Sequence, residues 1–234
     1  MKAFLNPVVA ALVVGLLGIA AFVPSVRAQD ASKPVYVVAY LEVVPGKKKQ
    51  ARRLIADYVA GAKRASGVLA IDALVRNGYP DQFALIEQWQ SAKSREDYAA
   101  TAVAQQFRAS LGKIESAAID ERIQAPLFVE TEKPAALPPI VVMTHIDIIP
   151  TALDQGRARI KQLVESNRHQ NANLRFDVLV QTNRPNHMTL IEGWKRPADK
   201  NAESAAAGTV SYRHDLLPMS GSPYDERTYR PLAE

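Results

Sequence analysis

Cysteine is absent from all 234 residues. A chain without thiols cannot form disulfide bonds, cysteine-ligated metal or iron–sulfur centres, or a thiolate nucleophile. It also cannot carry a lipid anchor on cysteine. Its stability must therefore come from buried apolar surface, which a chain of this length can supply.

Long apolar runs are scarce as well, and the main one lies near the N-terminus. Lys2 precedes an apolar run over residues 8–23, which is followed by Pro24 and small residues ending at Ala28. The run is shorter than the ~20 residues that span a bilayer, and the pattern is typical of a secretory signal peptide. We expect residues 1–28 to be cleaved, the product to be periplasmic or secreted, and no membrane attachment to persist.

The chain also lacks a large excess of one charge. Without residues 1–28 it has 27 basic residues against 24 acidic ones, a formal charge of +3. Nucleic acid is therefore a poor candidate partner, because its recognition normally needs a strongly basic surface. The densest basic run, Lys47–Lys49 with Arg52 and Arg53, falls on a predicted helix, where such runs usually form a solvated face.

Common cofactor and metal motifs are missing too. The sequence has no glycine-rich phosphate loop, no nucleophile elbow and no His-Glu-x-x-His. Its four histidines are dispersed, which does not indicate a metal site. We therefore predict neither a metal nor an organic cofactor.

What the sequence does contain is an internal repeat. Val35–Pro45 matches Ile140–Pro150, and Phe83–Trp89 matches Met188–Trp194, both at an offset of 105 positions. One offset kept through strand, helix and tail indicates a duplicated module. The sequence predicts modules at residues 35–129 and 140–234, joined by a proline-rich linker over residues 130–139.

The hydrophobic periodicity changes in the same order within each copy. In the first copy it predicts strands over 35–44, 69–76, 83–90 and 122–129, with helices after the first strand and over 94–111. This β-α-β-β-α-β order is typical of a ferredoxin-like α+β module. An antiparallel sheet with helices on one face leaves the other face bare, so we expect the two modules to pack sheet to sheet as an intrachain α+β barrel, with a cavity between the sheets if the inward side chains do not fill it completely.

The paired segments that end in Leu-Ile-Glu-x-Trp, each after a hairpin and before an alanine-rich helix, resemble the antibiotic biosynthesis monooxygenase (ABM) domain. The resemblance implies a dimeric α+β barrel and cofactor-independent oxygenation of quinol-like or polycyclic aromatic compounds. Many small members of that family carry a histidine about nine residues after the tryptophan. Here Tyr98 and Glu203 hold those positions, a departure that weakens the transfer of activity.

Candidate catalytic residues follow from the needs of such a reaction, which are a base and a group that stabilises an oxyanion. His145 is the first candidate base because imidazole titrates near neutrality. Glu87 and Glu192 are second choices, since burial would have to raise their pKa. Either glutamate could instead form a structural ion pair with Arg108 or Arg213.

Candidate substrate-binding residues follow from strand alternation. The resemblance implies that the tryptophan-bearing face lines the cavity, and alternation adds polar positions on the first strand of each copy. The set of possible aromatic walls and polar contacts is Trp89, Trp194, Tyr36, Tyr40, Asp147 and Tyr98.

Two other functions remain open. The first is a non-catalytic protein that binds a small aromatic or quinone-type ligand, or that serves a structural role on the same fold. The second is haem binding, with His145 as an axial ligand. The sequence leaves open whether the intrachain pseudo-dimer associates further.

Overall fold

The computed structural model describes residues 33–130 and 137–232. The predicted signal peptide lies outside these residues, as do residues 131–136 of the predicted linker. Within the described part of the chain, no helix is long and apolar enough to cross a membrane.

The first half of the chain folds in the order strand, helix, hairpin, two helices, strand. Gly67 and Gly78 have positive φ and lie just before and after the second strand, where glycine is the residue that turns most easily. The elements are β1 (Val35–Val43), α1 (Lys48–Ala62), β2 (Val68–Arg76), β3 (Gln82–Trp89), α2 (Ala92–Ala99), α3 (Ala102–Leu111) and β4 (Glu115–Phe128).

The second half repeats this order with two short 3₁₀ turns added. One turn precedes its first helix (Pro150–Ala152) and the other follows its last helix (Leu217–Met219). The elements are β5 (Ile140–Asp147), α4 (Leu153–Arg168), β6 (Asn173–Gln181), β7 (His187–Trp194), α5 (Pro197–Ala205), α6 (Ala207–Leu216) and β8 (Asp225–Pro231).

All eight strands form one closed antiparallel barrel in the order β1-β3-β2-β8-β5-β7-β6-β4. β4 pairs with β1 and, beyond Gln124, with β6 of the second half. β8 likewise pairs with β5 and, near its end, with β2 of the first half. The α+β class and the barrel are confirmed, and the two sheets are joined edge to edge as well as packed face to face.

Two local predictions were wrong. The single helix expected over 94–111 is two helices, because Thr101 is extended and its hydroxyl accepts a hydrogen bond from the Ala104 N–H at 3.3 Å. The final strand begins at Glu115 rather than near Arg122, since it pairs with β1 as far as Val43.

Three groups of buried apolar side chains hold the fold together. One lies between each half's helices and sheet, and the third lies inside the barrel. Side chains of the third group fill the space between the two sheets, where a cavity was expected. The barrel core consists of Tyr36, Val38, Leu74, Ala84, Ile86, Val141, Met143, Leu179, Ile191 and Tyr229.

We expect Leu179→Ala to lower the free energy of unfolding by about 3 kcal/mol, because the side chain is 0% exposed and its loss leaves a cavity. Leu217→Ala, at a side chain that is 67% exposed, should change it by less than about 0.5 kcal/mol. Urea denaturation measures both. Equal effects of the two substitutions would contradict the packed barrel interior.

Candidate active site

The tryptophan-bearing faces point toward the helices, not into the barrel. Glu87 lies opposite Val37, which is in the helix-side core with Trp89, whereas Ile86 lies opposite Val38 in the barrel core. The same holds in the second half, where Glu192 lies opposite Val142. The prediction that these faces line a cavity between the sheets is therefore wrong. They pack against the apolar face of β1 that includes Val37, which lies on the helix side of the sheet together with Trp89.

Tyr36, Tyr40 and His145 do lie on the barrel side, as predicted from strand alternation. The guanidinium groups of Arg122 and Arg227 lie 4.9 Å and 5.4 Å from the centre of the Tyr40 ring. Burial raises the pKa of Tyr40, and burial with the nearby Asp177 raises the pKa of Tyr36 to about 12. Both phenols therefore stay protonated at neutral pH.

His145 has an environment that opposes protonation. Burial, then Arg122, then His187 lower the pKa of its imidazole to about 4. Its Nε2 lies 3.3 Å from Nδ1 of His187, and its buried Nδ1 has no hydrogen-bond partner among the described residues. A conjugate acid this strong makes His145 a weak base at neutral pH.

Asp147 lies near the end of the same strand, in contact with neighbouring turns. Its Oδ1 accepts a hydrogen bond from Asn186 at 2.8 Å and lies 3.6 Å from Nε2 of His187. These contacts tie β5 to the turn before β7.

In the first half, the helix-side carboxylate is fully engaged by aromatic groups. Glu87 accepts hydrogen bonds from the Tyr58 hydroxyl and the Trp89 indole N–H, both at 2.8 Å. Tyr98 stacks on Trp89 with ring centres 5.3 Å apart, and Tyr58 stacks on Phe107 at 4.4 Å. These rings fill the space between sheet and helices, so this side is a core.

In the second half, the corresponding space holds charged groups. Glu192 is buried and accepts a hydrogen bond from the Trp194 indole N–H at 2.9 Å. Nζ of Lys200 lies 3.3 Å from Glu192 and 2.9 Å from Glu203. Glu203 also accepts a hydrogen bond from the Thr209 hydroxyl at 2.7 Å.

A second ion pair adjoins this group. Glu226 lies 3.5 Å from Lys200 and 2.8 Å from Arg213. The first half has the equivalent bridge, in which Glu121 pairs with Arg95 and Arg108. Arg108 and Arg213 thus pair with the last strand of their own module, not with Glu87 and Glu192 as considered from the sequence.

The buried charged cluster of the second half contains one more carboxyl than it contains cations. Three carboxyls face two cations, Lys200 and Arg213. Burial, opposed by Lys200 and supported by Glu203, raises the pKa of Glu192 from 4.5 to about 7. A carboxyl with this pKa can take or give a proton at neutral pH.

Tyr212 is a further buried polar residue on the helix side of the second half. Its hydroxyl is buried with no hydrogen-bond partner among the described residues, and burial with the charges of Tyr224 and Glu192 raises its pKa. Its side chain also lines a cavity of about 210 Å³ between α4 and α6, beside Leu163. A protonated, unpaired phenol within electrostatic range of Glu192 can donate a hydrogen bond to an oxyanion.

The residues that sequence reasoning missed differ between the two copies. Thr209, Tyr212 and Tyr224 occupy the places of Ala104, Phe107 and Ile119. Each adds a polar group at a helix-side position that is apolar in the first copy. Comparing the copies position by position would have located the pocket.

The structure is that of a two-module α+β barrel protein, with an apolar aromatic cluster on the helix side of the first half and a buried charged cluster on the helix side of the second. In sequence, residues 34–110 match the family described as antibiotic biosynthesis monooxygenase. No curated protein matches the chain.

Solved structures support the same class at the level of the fold. A putative monooxygenase from Fusobacterium nucleatum is 17% identical, with a TM-score of 0.76 over 86% of this chain and 94% of its own. One from Lactobacillus acidophilus is 13% identical, with a TM-score of 0.69 over 86% and 95%. An anthrone oxidase-like protein is 12% identical, with a TM-score of 0.68 over 87% and 93%. Residues 34–110 thus carry a sequence match to that family, and the chain as a whole has the fold of these two-module structures.

We expect Glu192→Gln to change how stability depends on pH. Because folding raises this pKa, the carboxyl contributes stability below about pH 4.5 that is lost as the pH rises through about 7. Glutamine cannot titrate, so the free energy of unfolding of the variant, relative to that of the wild type, should rise by roughly 3 kcal/mol across that pH range. Urea denaturation at several pH values measures this, with exposed Glu165→Gln as a control, and parallel curves for Glu192→Gln and the wild type would contradict the assignment.

His145 should titrate far below an ordinary histidine. Its ring resonances in a histidine-labelled sample, assigned with His145→Asn, should shift with a midpoint near pH 4. The cause is burial beside Arg122, which penalises the imidazolium. A midpoint near 6.5 would show that solvent reaches the ring.

Proposed function

We propose that this chain is an exported ABM-like protein that acts as a cofactor-independent monooxygenase on a quinol-like or polycyclic aromatic small molecule. The observation that carries the proposal is the second-half pocket, where Glu192 has a pKa of about 7 and the Tyr212 hydroxyl has no partner among the described residues. The chemistry needs a base near neutrality and an oxyanion donor, and these two groups supply them.

In the proposed reaction, the Glu192 carboxylate removes a proton from the activated C–H or phenolic group of the substrate. Tyr212 donates a hydrogen bond to the anion that forms, and Lys200 remains charged beside it because three carboxylates, opposed by burial, raise its pKa. The Trp194 indole N–H donates a hydrogen bond to Oε2 of Glu192 and so holds the carboxylate in place.

Oxygen then takes electrons from the substrate anion, and a carbon–oxygen bond forms to give a peroxide. Glu192 returns its proton to the peroxide. The oxygen–oxygen bond then breaks as the second C–H proton is lost: the C–H electron pair forms the carbonyl double bond, and the departing hydroxide takes that proton to become water. For an activated methylene, the balance is CH₂ plus O₂ giving a carbonyl and water. The substrate supplies all four electrons, so no other reductant is consumed.

The size of the cavity limits the substrate. At about 210 Å³ it is below the usual ~300–1,000 Å³ of drug-sized sites. Leu163 and Tyr212 line it together with polar residues that include Arg159, Gln162 and Asp215, which favours a compact ring system that carries polar groups.

Oxygen uptake by the purified, metal-stripped protein tests the proposal, with a panel of hydroquinones and polycyclic phenols and correction for their spontaneous oxidation. We expect protein-dependent uptake with an oxygenated product. Glu192→Gln should lower the rate by about 100-fold or more, as expected for loss of a general base. Glu87→Gln, the equivalent change in the apolar pocket, should retain it.

Other outcomes would point elsewhere. If His145→Asn lost turnover at an unchanged melting temperature while Glu192→Gln stayed active, the catalytic base would be His145, on the barrel side of the sheet. No uptake from compounds that raise the melting temperature would indicate a binding protein without catalysis. A Soret band in the purified protein would indicate haem.

A further inference from the structure

A groove of about 1050 Å³ lies on the first module between α1 and β2, remote in sequence from the second-half pocket. Its apolar lining includes Val59 from α1, Ile71 from β2 and Leu137 from the linker. Leu69, at its side, is 51% exposed. The volume is at the upper end of the range for small-molecule sites, which is about 300–1,000 Å³.

The groove follows a strand edge that is only partly covered. β2 pairs with β8 only at residues 74–76. Among the described residues, no strand pairs with the edge of β2 that faces away from β3 over residues 68–72. Along this stretch Leu69 is exposed, and Val68 and Ala70 are partly exposed.

The rim of the groove is basic. Four cationic side chains of α1 and its C-terminal end line it, and the single acidic residue there, Asp72, lies 3.5 Å from Arg175. The local charge therefore favours an anionic group on the occupant. The four rim cations are Lys49, Arg52, Arg53 and Lys63.

The second module keeps only half of these cations. At the equivalent positions, Arg157 and Arg168 retain a positive charge, whereas Asp154 replaces Lys49 and Ala158 replaces Arg53. The small floor residue Ala70 is replaced by Arg175. The basic, open groove is thus a property of the first module rather than of the repeated fold.

Side chains cover the equivalent edge in the second module. Arg168 donates hydrogen bonds to the carbonyl oxygens of Phe128 and Phe176 and pairs with Glu130 at 3.0 Å. Arg175 pairs with Asp177 at 2.7 Å, and the Glu130 N–H donates to the same carboxylate at 3.0 Å. These contacts show how this fold closes the edge when no groove is formed there.

We propose that the first-module groove binds a small amphiphile that carries one anionic group on an apolar body. The apolar floor accepts the body, and the α1 cations hold the anion. This site is separate from the proposed catalytic pocket and does not depend on oxygenase activity.

The probe is anilinonaphthalene sulfonate, an anionic, flat and fluorescent compound, and its uncharged analogue phenylnaphthylamine tests the role of the charge. Fluorescence titration of the purified protein should give one site for each. Affinity for the sulfonate should fall as salt is raised, because Lys49, Arg53 and Lys63 are exposed, whereas affinity for the neutral analogue should not.

Two variants copy the second module. Lys49→Asp/Arg53→Ala should weaken sulfonate binding by about tenfold and leave the neutral probe within about twofold. Ala70→Arg should weaken both probes, because the new guanidinium fills the floor and can pair with Asp72 as Arg175 pairs with Asp177. Both changed residues of the double variant are exposed, so it tests the site even if Ala70→Arg fails to fold.

Controls separate this site from other causes of fluorescence. Lys113→Asp removes an exposed cation elsewhere, and Glu192→Gln alters the other pocket. Both should leave the two affinities unchanged, with melting temperatures monitored throughout. Sulfonate binding that is absent, or that is equal in wild type and the double variant, would overturn the proposal.

Discussion

A sheet with helices on one face is stable in water only if its other face and its open edges are covered, and this constraint determines the whole structure. The chain meets it by closing two four-stranded sheets into one barrel. β4 and β8 each extend beyond their own sheet and pair with a strand of the other module, so the two sheets are joined by backbone hydrogen bonds. The barrel core then buries what would otherwise be two bare faces.

Once the barrel is closed and packed, the variable space lies between the sheets and the helices. Both modules keep the glutamate and the tryptophan that bonds to it, and both keep the ion bridge from the last strand to the last two helices. The remaining positions differ. Aromatic rings fill this space in the first module, whereas Lys200 and Glu203 make it charged in the second, so the two copies differ most where the proposed chemistry lies.

The repeat, the order of elements and the barrel could be predicted from the sequence, because a constant offset and strand periodicity are local signals. Which face of β3 and β7 lies inside the barrel could not, since both faces are apolar. His145 was the first candidate base by residue type alone, but burial beside Arg122 lowers its pKa. Glu192 ranked second because its pKa depends on Lys200 and Glu203, which are brought close only by the fold.

The central claim is that the second module holds a buried carboxyl poised near neutrality. Carbon-13 NMR of protein labelled at the glutamate side-chain carboxyl measures this directly. The account predicts one carboxyl resonance that titrates near pH 7 and is absent from the spectrum of Glu192→Gln. A spectrum in which every glutamate titrates below about pH 5, as unperturbed carboxyls do, would contradict it.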